Sequence, residues 1–296
     1  MGTGRRITVI GAGPGGYVAA IRAAQLGAQV SLIEDQEVGG ACLNRGCIPS
    51  KALLFNAEVA GLLKRAADFG LTFPGELTLD VNRMVERKRR IVQSQVRGIQ
   101  ALLKSWGVSL IRGRGRLTGP RSIEVTEPGG TARRIEADRV ILATGSMPLR
   151  PELFPFDGDT IITSEEALEP RGIPKNLLIV GAGIEGCEFA FMYRELGAAV
   201  TLVELKDRPL ATEDEEISDL ILREMKRRKM EIHLATRVEK VSVADTRVEI
   251  KLSGGRNLTV DRVLVSVGRR MNTEGLGLEA AGVPVGSRGE IRVNEQ

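Results

Sequence analysis

The pattern of apolar and polar positions predicts strands that alternate with helices. A short apolar run at residues 6–10 is followed by a glycine-rich turn, an apolar helix over 17–26 and a second strand over 29–33. Apolar runs of four to eight residues, bounded by turn residues, are typical of strands buried in a sheet. The start of the chain therefore predicts a strand–helix–strand unit of an α/β fold.

The same unit returns later in the chain. Residues 176–180 form a predicted strand, 187–196 a helix and 199–203 another strand. An internal repeat of this kind indicates that one structural unit is used twice. We therefore expect two α/β domains rather than one large sheet.

The remaining pattern predicts scaffold elements. Two long helices are predicted over 50–69 and 80–106, and residues 147–174, with five prolines, form a predicted linker. Short strands are predicted at 108–116, 122–126, 133–136 and 140–146. After a helix over 213–229, the pattern predicts a β meander and a last buried strand, at 231–235, 238–244, 247–253, 258–260 and 262–267.

A glycine turn joins the first strand to its helix. Gly11, Gly13 and Gly16 have the spacing Gly-x-Gly-x-x-Gly, and the next strand is closed by Glu34. Such glycines let the backbone approach a pyrophosphate at the helix N-terminus, and the acid holds ribose hydroxyls. A turn that only packs the helix on the strand is the alternative, but the flanking strand, helix and acid favour dinucleotide binding.

The second unit has the same turn, formed by Gly181, Gly183 and Gly186 and followed by Glu204. In both copies the acid lies 23 residues after the first glycine. Two copies predict two dinucleotide sites, one in each domain.

The expected fold class is therefore α/β, with two Rossmann-like dinucleotide-binding domains of three layers, the second inserted into the first. The predicted domains are residues 1–150 and 151–270, and residues 271–296 begin a return into the first domain.

Cys42 and Cys47 are two of the chain's three cysteines, with four residues between them. On a regular helix their Cα atoms would be about 8.6 Å apart, too far for a disulfide. A disulfide therefore needs a distorted turn, which Asn44 and Gly46 tolerate. If the following helix starts near Pro49, Cys47 lies at its N-terminus, where the helix dipole favours a thiolate.

Two reduced thiols packed in a core are the alternative interpretation of the pair. A zinc site is disfavoured because zinc takes about four ligands and the chain otherwise offers only distant Cys187 and His233. We expect no metal site, a small core role for Cys187, and a structural or solvent-facing His233 in the β meander.

The sequence GGACLNRGCIPSK at residues 39–51 resembles the active-site signature of the flavin-dependent pyridine nucleotide-disulfide oxidoreductases. Leu43 and Ile48 most resemble the members that oxidise dihydrolipoamide, since glutathione and mercuric reductases tend to carry valine at both positions. Ala41 departs from the commoner threonine. The resemblance implies a redox-active Cys42–Cys47 disulfide.

The resemblance also implies the cofactors. FAD must contact the cysteine pair, so the first domain is expected to bind FAD and the second NAD. Glu204 favours NAD because a carboxylate repels the 2′-phosphate of NADP, although Lys206 and Arg208 lie nearby and leave this open. Glu185, inside the second turn, replaces an apolar residue usual in the family and is expected to weaken binding unless it points to solvent.

Further site residues follow from the resemblance. Lys51 and Glu188 are expected to form an ion pair beside the flavin at the hydride-transfer face; for Glu188 the alternative is a surface helix acid. Thr144 and Gly145 are expected to line the flavin. Gly268 begins a Gly-Arg turn at which the family's chain crosses back towards the FAD domain.

The implied reaction is oxidation of dihydrolipoamide, free or on a lipoyl-bearing protein of a 2-oxo acid dehydrogenase complex. Its dithiol attacks the disulfide, Cys42 forms the mixed disulfide and Cys47 faces the flavin, which passes electrons to NAD+. The alternatives are a related reductase of another disulfide or metal ion, and a non-catalytic nucleotide-binding fragment.

The resemblance covers the whole chain, but family members continue into a second FAD motif and an interface domain that forms their homodimer and supplies a histidine base. We therefore expect a truncated, monomeric chain that retains electron transfer from NADH to a dye and is poor with dihydrolipoamide.

Composition narrows the partners. The net charge is +4 from 42 basic and 38 acidic residues, and aromatic residues make up 3%, so nucleic acid is not expected. No apolar run approaches the length of a membrane span, and no export signal is apparent. Cytoplasmic localisation is therefore expected, where a disulfide is usually catalytic or redox-sensing.

Overall fold

The structure, a computed structural model, describes residues 4–244 and 247–295. Its backbone forms two compact units. The first contains the residues up to Pro49, Arg90–Met147 and the residues from Arg269 onward, and the second contains Ser50–Arg89 and Pro148–Gly268. The main segment of the second unit is thus inserted into the first.

The predicted domain boundaries at 150 and 270 came from the repeated strand–helix–strand unit and the proline-rich linker, and they stay a prediction. The compact units follow backbone packing instead. They differ from the predicted domains at residues 50–89, which group with the second unit.

The helices and strands have the following bounds. The helices are α1 (Pro14–Gln25), α2 (Gly40–Arg45), α3 (Cys47–Lys64), α4 (Val81–Ser105), α5 (Ser164–Ala167), α6 (Ile184–Glu195) and α7 (Glu215–Arg227). The strands are β1 (Arg6–Ile10), β2 (Gln29–Glu34), β3 (Ser109–Arg112), β4 (Arg114–Gly119), β5 (Ser122–Thr126), β6 (Ala132–Glu136), β7 (Arg139–Leu142), β8 (Ser146–Pro148), β9 (Ile161–Ile162), β10 (Asn176–Val180), β11 (Ala199–Val203), β12 (Glu231–His233), β13 (Val238–Ala244), β14 (Arg247–Leu252), β15 (Asn257–Val260), β16 (Arg262–Val265) and β17 (Arg269–Met271).

The first unit has three layers around a parallel sheet of order β3-β2-β1-β7. Successive side chains of a strand point to opposite faces. Val9 therefore packs with the helical layer, in a cluster that includes Leu103 of α4. Its neighbour Ile10 packs on the other face against Leu117 and Ile123 of the antiparallel sheet β4-β5-β6.

The second unit repeats this arrangement with a parallel sheet of order β12-β11-β10-β16-β9. Ile179 of β10 packs with Tyr193 of α6 in the helical layer. Leu178, the preceding residue, packs with Ile250 of the antiparallel sheet β13-β14-β15 on the opposite face. The predicted three-layer α/β fold with two Rossmann-like units is therefore confirmed.

His233 does not lie in a β meander, so that prediction was wrong. It ends β12, which pairs in parallel with β11 at the edge of the main sheet. Its carbonyl oxygen accepts a hydrogen bond from the backbone N–H of Glu204 at 2.9 Å. A short strand before a turn has no feature in its sequence that selects a parallel partner 30 residues earlier.

Three other segments depart from their predicted boundaries. The predicted linker contains β9 and the short helix α5, which Thr163 and Glu166 cap reciprocally. The strand predicted at 108–116 divides at Gly113, whose φ of 151° breaks the ladder. The helix predicted from residue 50 begins at Cys47 and gives way after Lys64 to a short 3-10 turn.

None of the helices among the described residues has the length and hydropathy of a membrane span.

Leu178→Ala should destabilise the protein by about 2–5 kcal/mol, because it leaves a cavity at a side chain with no solvent exposure. Leu205→Ala is the matched control, since Leu205 is 67% exposed and its truncation should change stability by less than about 0.5 kcal/mol. Urea unfolding followed by circular dichroism measures both. Equal effects of the two substitutions would contradict the assigned packing.

Candidate functional site

The first glycine turn requires residues without side chains at two positions. A Cβ on Gly11, whose φ is 100°, would lie 2.2 Å from the carbonyl oxygen of Ala143 at the end of β7. A Cβ on Gly16 would lie 1.8 Å from the carbonyl oxygen of Gly11. The backbone of the turn therefore contacts itself and the neighbouring strand. Glycine permits both contacts because it has no Cβ.

The second turn has the same geometry. A Cβ on Gly181, whose φ is 103°, would lie 2.1 Å from the carbonyl oxygen of Ser266 after β16, and one on Gly186 would lie 1.9 Å from the carbonyl oxygen of Gly181. The sequence repeat is thus a repeat in three dimensions.

The acids that close the second strands bind the turns directly. Glu34 accepts hydrogen bonds from the backbone N–H groups of Ala12 and Gln36, both at 2.7 Å. Glu204 accepts equivalent bonds from Ala182 at 2.6 Å and Lys206 at 2.8 Å. A carboxylate has about four acceptor positions, so each acid retains acceptors for ribose hydroxyls.

Burial raises the pKa of Glu34, because desolvation, together with the neighbouring Asp35, disfavours the charged form more than the two backbone hydrogen bonds favour it. Those two hydrogen bonds hold its side chain beside the turn. The sequence did not show that either acid accepts hydrogen bonds from the backbone of its own glycine turn.

Both turns lead into helix N-termini that lack a side-chain cap. The N-cap residues Gly13 and Gly183 provide no side-chain hydrogen bond to α1 or α6. A Cβ on Gly183 would meet no atom within 4 Å, so open space adjoins the N-terminus of α6. Uncapped N–H groups beside open space are the arrangement that binds a pyrophosphate.

The cysteine segment packs on the first turn. Gly39 donates from its backbone N–H to the carbonyl oxygen of Ala12 at 2.8 Å. A Cβ on Gly40, whose φ is 60°, would lie 2.5 Å from the Cα of Gly13. The glycine pair before the first cysteine therefore brings the start of α2 into contact with the nucleotide turn.

The two cysteines lie on successive helices. Cys42 is half-buried in α2, and Cys47 is exposed as the first residue of α3, with Gly46 between the helices. Asn44 donates its side-chain amide to the carbonyl oxygens of Val38 and Gly40, which fixes α2. The expected distortion between the cysteines is thus present, and Cys47 occupies a helix N-terminus.

Cys187 differs from this pair. Burial raises the pKa of its thiol to about 12, and its sulfur contacts the carbonyl oxygen of Ala182 at 3.3 Å. It is a packed residue of the helical layer, as expected.

The second unit contains an ion pair between two of the predicted site residues. Lys51 Nζ of α3 and Glu188 Oε1 of α6 are 2.5 Å apart, with side chains 58% and 29% exposed. Glu188 is therefore not an isolated surface acid. The role of the pair at a hydride-transfer face stays a prediction.

The segment expected to line the flavin is held by residues that sequence reasoning missed. Asn272 donates its backbone N–H to the carbonyl oxygen of Gly145 and its side-chain amide to that of Thr144, both at 3.0 Å. Arg269 donates to the carbonyl oxygen of Ser146 at 2.8 Å. The Gly-Arg-x-x-Asn spacing was visible in the sequence, but it indicated only a turn.

The side-chain oxygen of Asn272 is buried and has no hydrogen-bond partner among the residues that the structure describes. A buried acceptor without a donor is costly. It fits a ligand that donates a hydrogen bond beside Thr144 and Gly145.

The predicted site residues fall into two groups. The first unit holds Gly11, Gly13, Gly16, Glu34, Cys42, Cys47, Thr144 and Gly145, and the second holds Lys51, Gly181, Gly183, Gly186, Glu188, Glu204 and Gly268. Gly268, with a φ of 117°, accepts a hydrogen bond from Leu149 at its carbonyl oxygen. Across residues 4–244 and 247–295, no group of three or more His, Cys, Asp and Glu side chains is placed to hold a metal ion.

Two glycine turns, with a cysteine-containing segment packed on the first of them, are typical of two-nucleotide α/β oxidoreductases. Residues 5–296 match the model of the pyridine nucleotide-disulphide oxidoreductase family. The chain belongs to this family.

Curated relatives agree with this assignment. The chain is 39% identical over 97% of its length to the dihydrolipoyl dehydrogenase of Bacillus subtilis, and it covers 63% of that protein. It is 41% identical over 97% of its length to the Thermus scotoductus dihydrolipoyl dehydrogenase, of which it covers 62%. The chain thus spans less than two thirds of the length of the relatives it matches.

Solved structures show the same fold. LpdA of Mycobacterium tuberculosis matches 98% of the chain with a TM-score of 0.91 and 29% identity, over 64% of the LpdA chain. The HOCl-induced flavoprotein disulfide reductase RclA of Escherichia coli matches 98% with a TM-score of 0.83 and 28% identity, over 62% of its chain. The predicted membership of the pyridine nucleotide-disulphide oxidoreductase family is therefore confirmed.

Gly40→Ala should destabilise the first unit by about 1–3 kcal/mol, because its left-handed backbone and the adjacent Gly13 leave no place for a methyl group. Gly15→Ala is the matched control, since a Cβ there would meet no atom within 4 Å. Thermal unfolding of the two variants measures the difference. Equal melting temperatures would show that α2 does not pack on the turn.

Proposed function

We propose that the protein transfers electrons between a dithiol and NAD through FAD, and that the dithiol is dihydrolipoamide. The observation that carries this proposal is the packing of the cysteine segment on the first nucleotide turn, at Gly40 and Gly13. It joins a redox-active residue pair to a nucleotide site within one compact unit.

The first turn is the proposed FAD site and the second the proposed NAD site. The cysteine pair lies on the first turn, and FAD is the cofactor that exchanges electrons with it. Gly11, Gly13 and Gly16 would hold the pyrophosphate, Glu34 the ribose, and Thr144, Gly145 and Asn272 a further polar part of FAD. Gly181, Gly183, Gly186, Glu204 and Gly268 would serve NAD in the same way.

The preference for NAD over NADP follows from Glu204. Its carboxylate is fixed by two backbone N–H groups, so it cannot turn away from a 2′-phosphate without losing both. Lys206 donates one of these bonds through its backbone N–H. Its side-chain ammonium would attract a 2′-phosphate less strongly than Glu204 repels it, because an ammonium on a flexible stem stays hydrated.

The proposed reaction begins at Cys42. A substrate thiolate attacks Cys42 Sγ, the Cys42–Cys47 disulfide bond breaks, and Cys47 leaves as a thiolate. The second substrate thiol then attacks the substrate sulfur bonded to Cys42, which leaves, so the substrate is released as a disulfide and the cysteine pair is reduced to two thiols. The chemistry that FAD would supply is acceptance of two electrons and one proton from this pair and their delivery as hydride to NAD+, while the Cys42–Cys47 disulfide re-forms and the second proton is released.

Lys51 and Glu188 are proposed to fix charge at the hydride-transfer face. Because Lys51 is paired at 2.5 Å, its ammonium is held in place without needing to reorganise during transfer. Glu188 balances that charge and orients it.

Dihydrolipoamide is favoured as substrate by Leu43 and Ile48 in the cysteine segment. The curated relatives that the chain matches at 39% and 41% identity are named dihydrolipoyl dehydrogenase. A lipoyl-bearing protein is accordingly the proposed macromolecular partner. Dihydrolipoamide and reduced glutathione with NAD+, and mercuric ion with NADH, form the panel that tests this choice, and faster turnover of either alternative would contradict it.

The visible spectrum of the purified chain tests the electron path. Bound flavin should absorb in the visible, and anaerobic NADH should produce a long-wavelength band that reports Cys47 thiolate beside it. Cys47→Ser should abolish that band, whereas Cys187→Ser, a buried cysteine outside the proposed path, should retain it. A band that persists in Cys47→Ser would place another residue at the flavin.

Lys51→Gln should slow NADH-dependent dye reduction roughly tenfold or more, because the fixed charge at the transfer face is lost. Lys104→Gln, in the last turn of α4, removes the same charge elsewhere and should leave the rate unchanged. Stopped-flow measurement of flavin reduction checks both. A normal rate in Lys51→Gln would make the ion pair purely structural.

A further inference from the structure

The two glycine turns differ at the residue before their last glycine. In the first turn this residue is Gly15, and a Cβ there would meet no atom within 4 Å. In the second it is Glu185. As a result the first turn of α6 carries an acid and that of α1 carries none. The two turns therefore differ by one charge.

The Glu185 side chain reaches across its turn. Ser266 Oγ donates to Glu185 Oε2 at 3.5 Å, and both groups are partly buried. Ser266 directly follows β16, and its backbone N–H donates to the carbonyl oxygen of Val180 at the end of β10. The contact thus connects the start of α6 with the carboxyl ends of two central strands.

These two strands flank the point where the sheet order reverses. From β10, the strands β11 and β12 lie on one side and β16 and β9 on the other. Ligands of open α/β sheets bind in the crevice outside the carboxyl ends at this reversal. The Glu185–Ser266 contact therefore spans the crevice of the second nucleotide site.

We propose that Glu185 weakens dinucleotide binding at the second site by repelling the pyrophosphate, so that the coenzyme there stays exchangeable. The inference rests on the proposed binding of NAD at this turn. Gly15 imposes no such repulsion at the first turn. At this position the proposed FAD site therefore carries no charge, and the proposed NAD site carries one.

Isothermal titration of NADH and ADP-ribose into the purified chain tests the proposal. Glu185→Gln keeps the shape and removes the charge, and it should bind both ligands roughly tenfold more tightly than the unaltered chain. Glu185→Gly, which reproduces the residue of the first turn, should also bind more tightly. Glu215→Gln removes an acid from the first turn of α7 and is the control, with unchanged affinity.

Salt separates repulsion from a change of shape. The difference between the unaltered chain and Glu185→Gln should shrink as the salt concentration rises, because salt screens the repulsion. A difference independent of salt would overturn the proposal, and so would equal affinities. Tighter binding of NADH without tighter binding of ADP-ribose would also overturn it, since both carry the pyrophosphate. If no variant binds either ligand, the proposed NAD site itself fails.

Discussion

Close backbone approach at the two glycine turns is the constraint on which the rest of the structure depends. At the first turn, Gly11 meets the end of β7, Gly16 closes the turn, and Gly40 brings α2 onto Gly13. Each approach leaves less space than a methyl group needs. Because no side chain separates these elements, the helix N-terminus, the fixed Glu34 and the cysteine segment share one small region.

The repeated unit combines one backbone geometry with two different surroundings. Both copies contain the glycine turn, the neighbouring parallel strand and an acid bound by backbone N–H groups. The distances from a Cβ on each required glycine to the nearest carbonyl oxygen agree between the copies to within 0.1 Å. The copies differ in what surrounds them. The first receives a cysteine segment and the second an acid in its helix, so nearly the same backbone geometry is combined with different chemistry.

The paired turns, the layers and most strands could be predicted from sequence, because glycine spacing and apolar runs are local signals. The parallel pairing of β12 could not, since a three-residue strand does not encode its partner. The hydrogen bonds that Asn272 donates to Thr144 and Gly145 were not predicted either. Its partners Thr144 and Gly145 are more than 120 residues away, and only folding reveals that its amide meets their carbonyl groups.

The same limit applies to charges. The sequence identified Glu185 as an unusual residue but not where its side chain points. In the structure its carboxylate contacts the hydroxyl of Ser266. The Lys51–Glu188 pair was expected only through a family resemblance, because 137 residues separate the two. Local chemistry is thus visible in a sequence, whereas the meeting of distant polar groups has to be observed.

Nucleotide content of a matched pair of variants tests the central claim that the two turns serve different nucleotides. Gly16→Ala and Gly186→Ala place the same methyl group 1.8 Å and 1.9 Å from equivalent carbonyl oxygens. If the first turn binds FAD and the second NAD, Gly16→Ala should lose FAD and still bind NADH, and Gly186→Ala should keep FAD and lose NADH. Loss of FAD from Gly186→Ala alone, or unchanged content in both variants, would show that the turns do not divide the two nucleotides in this way.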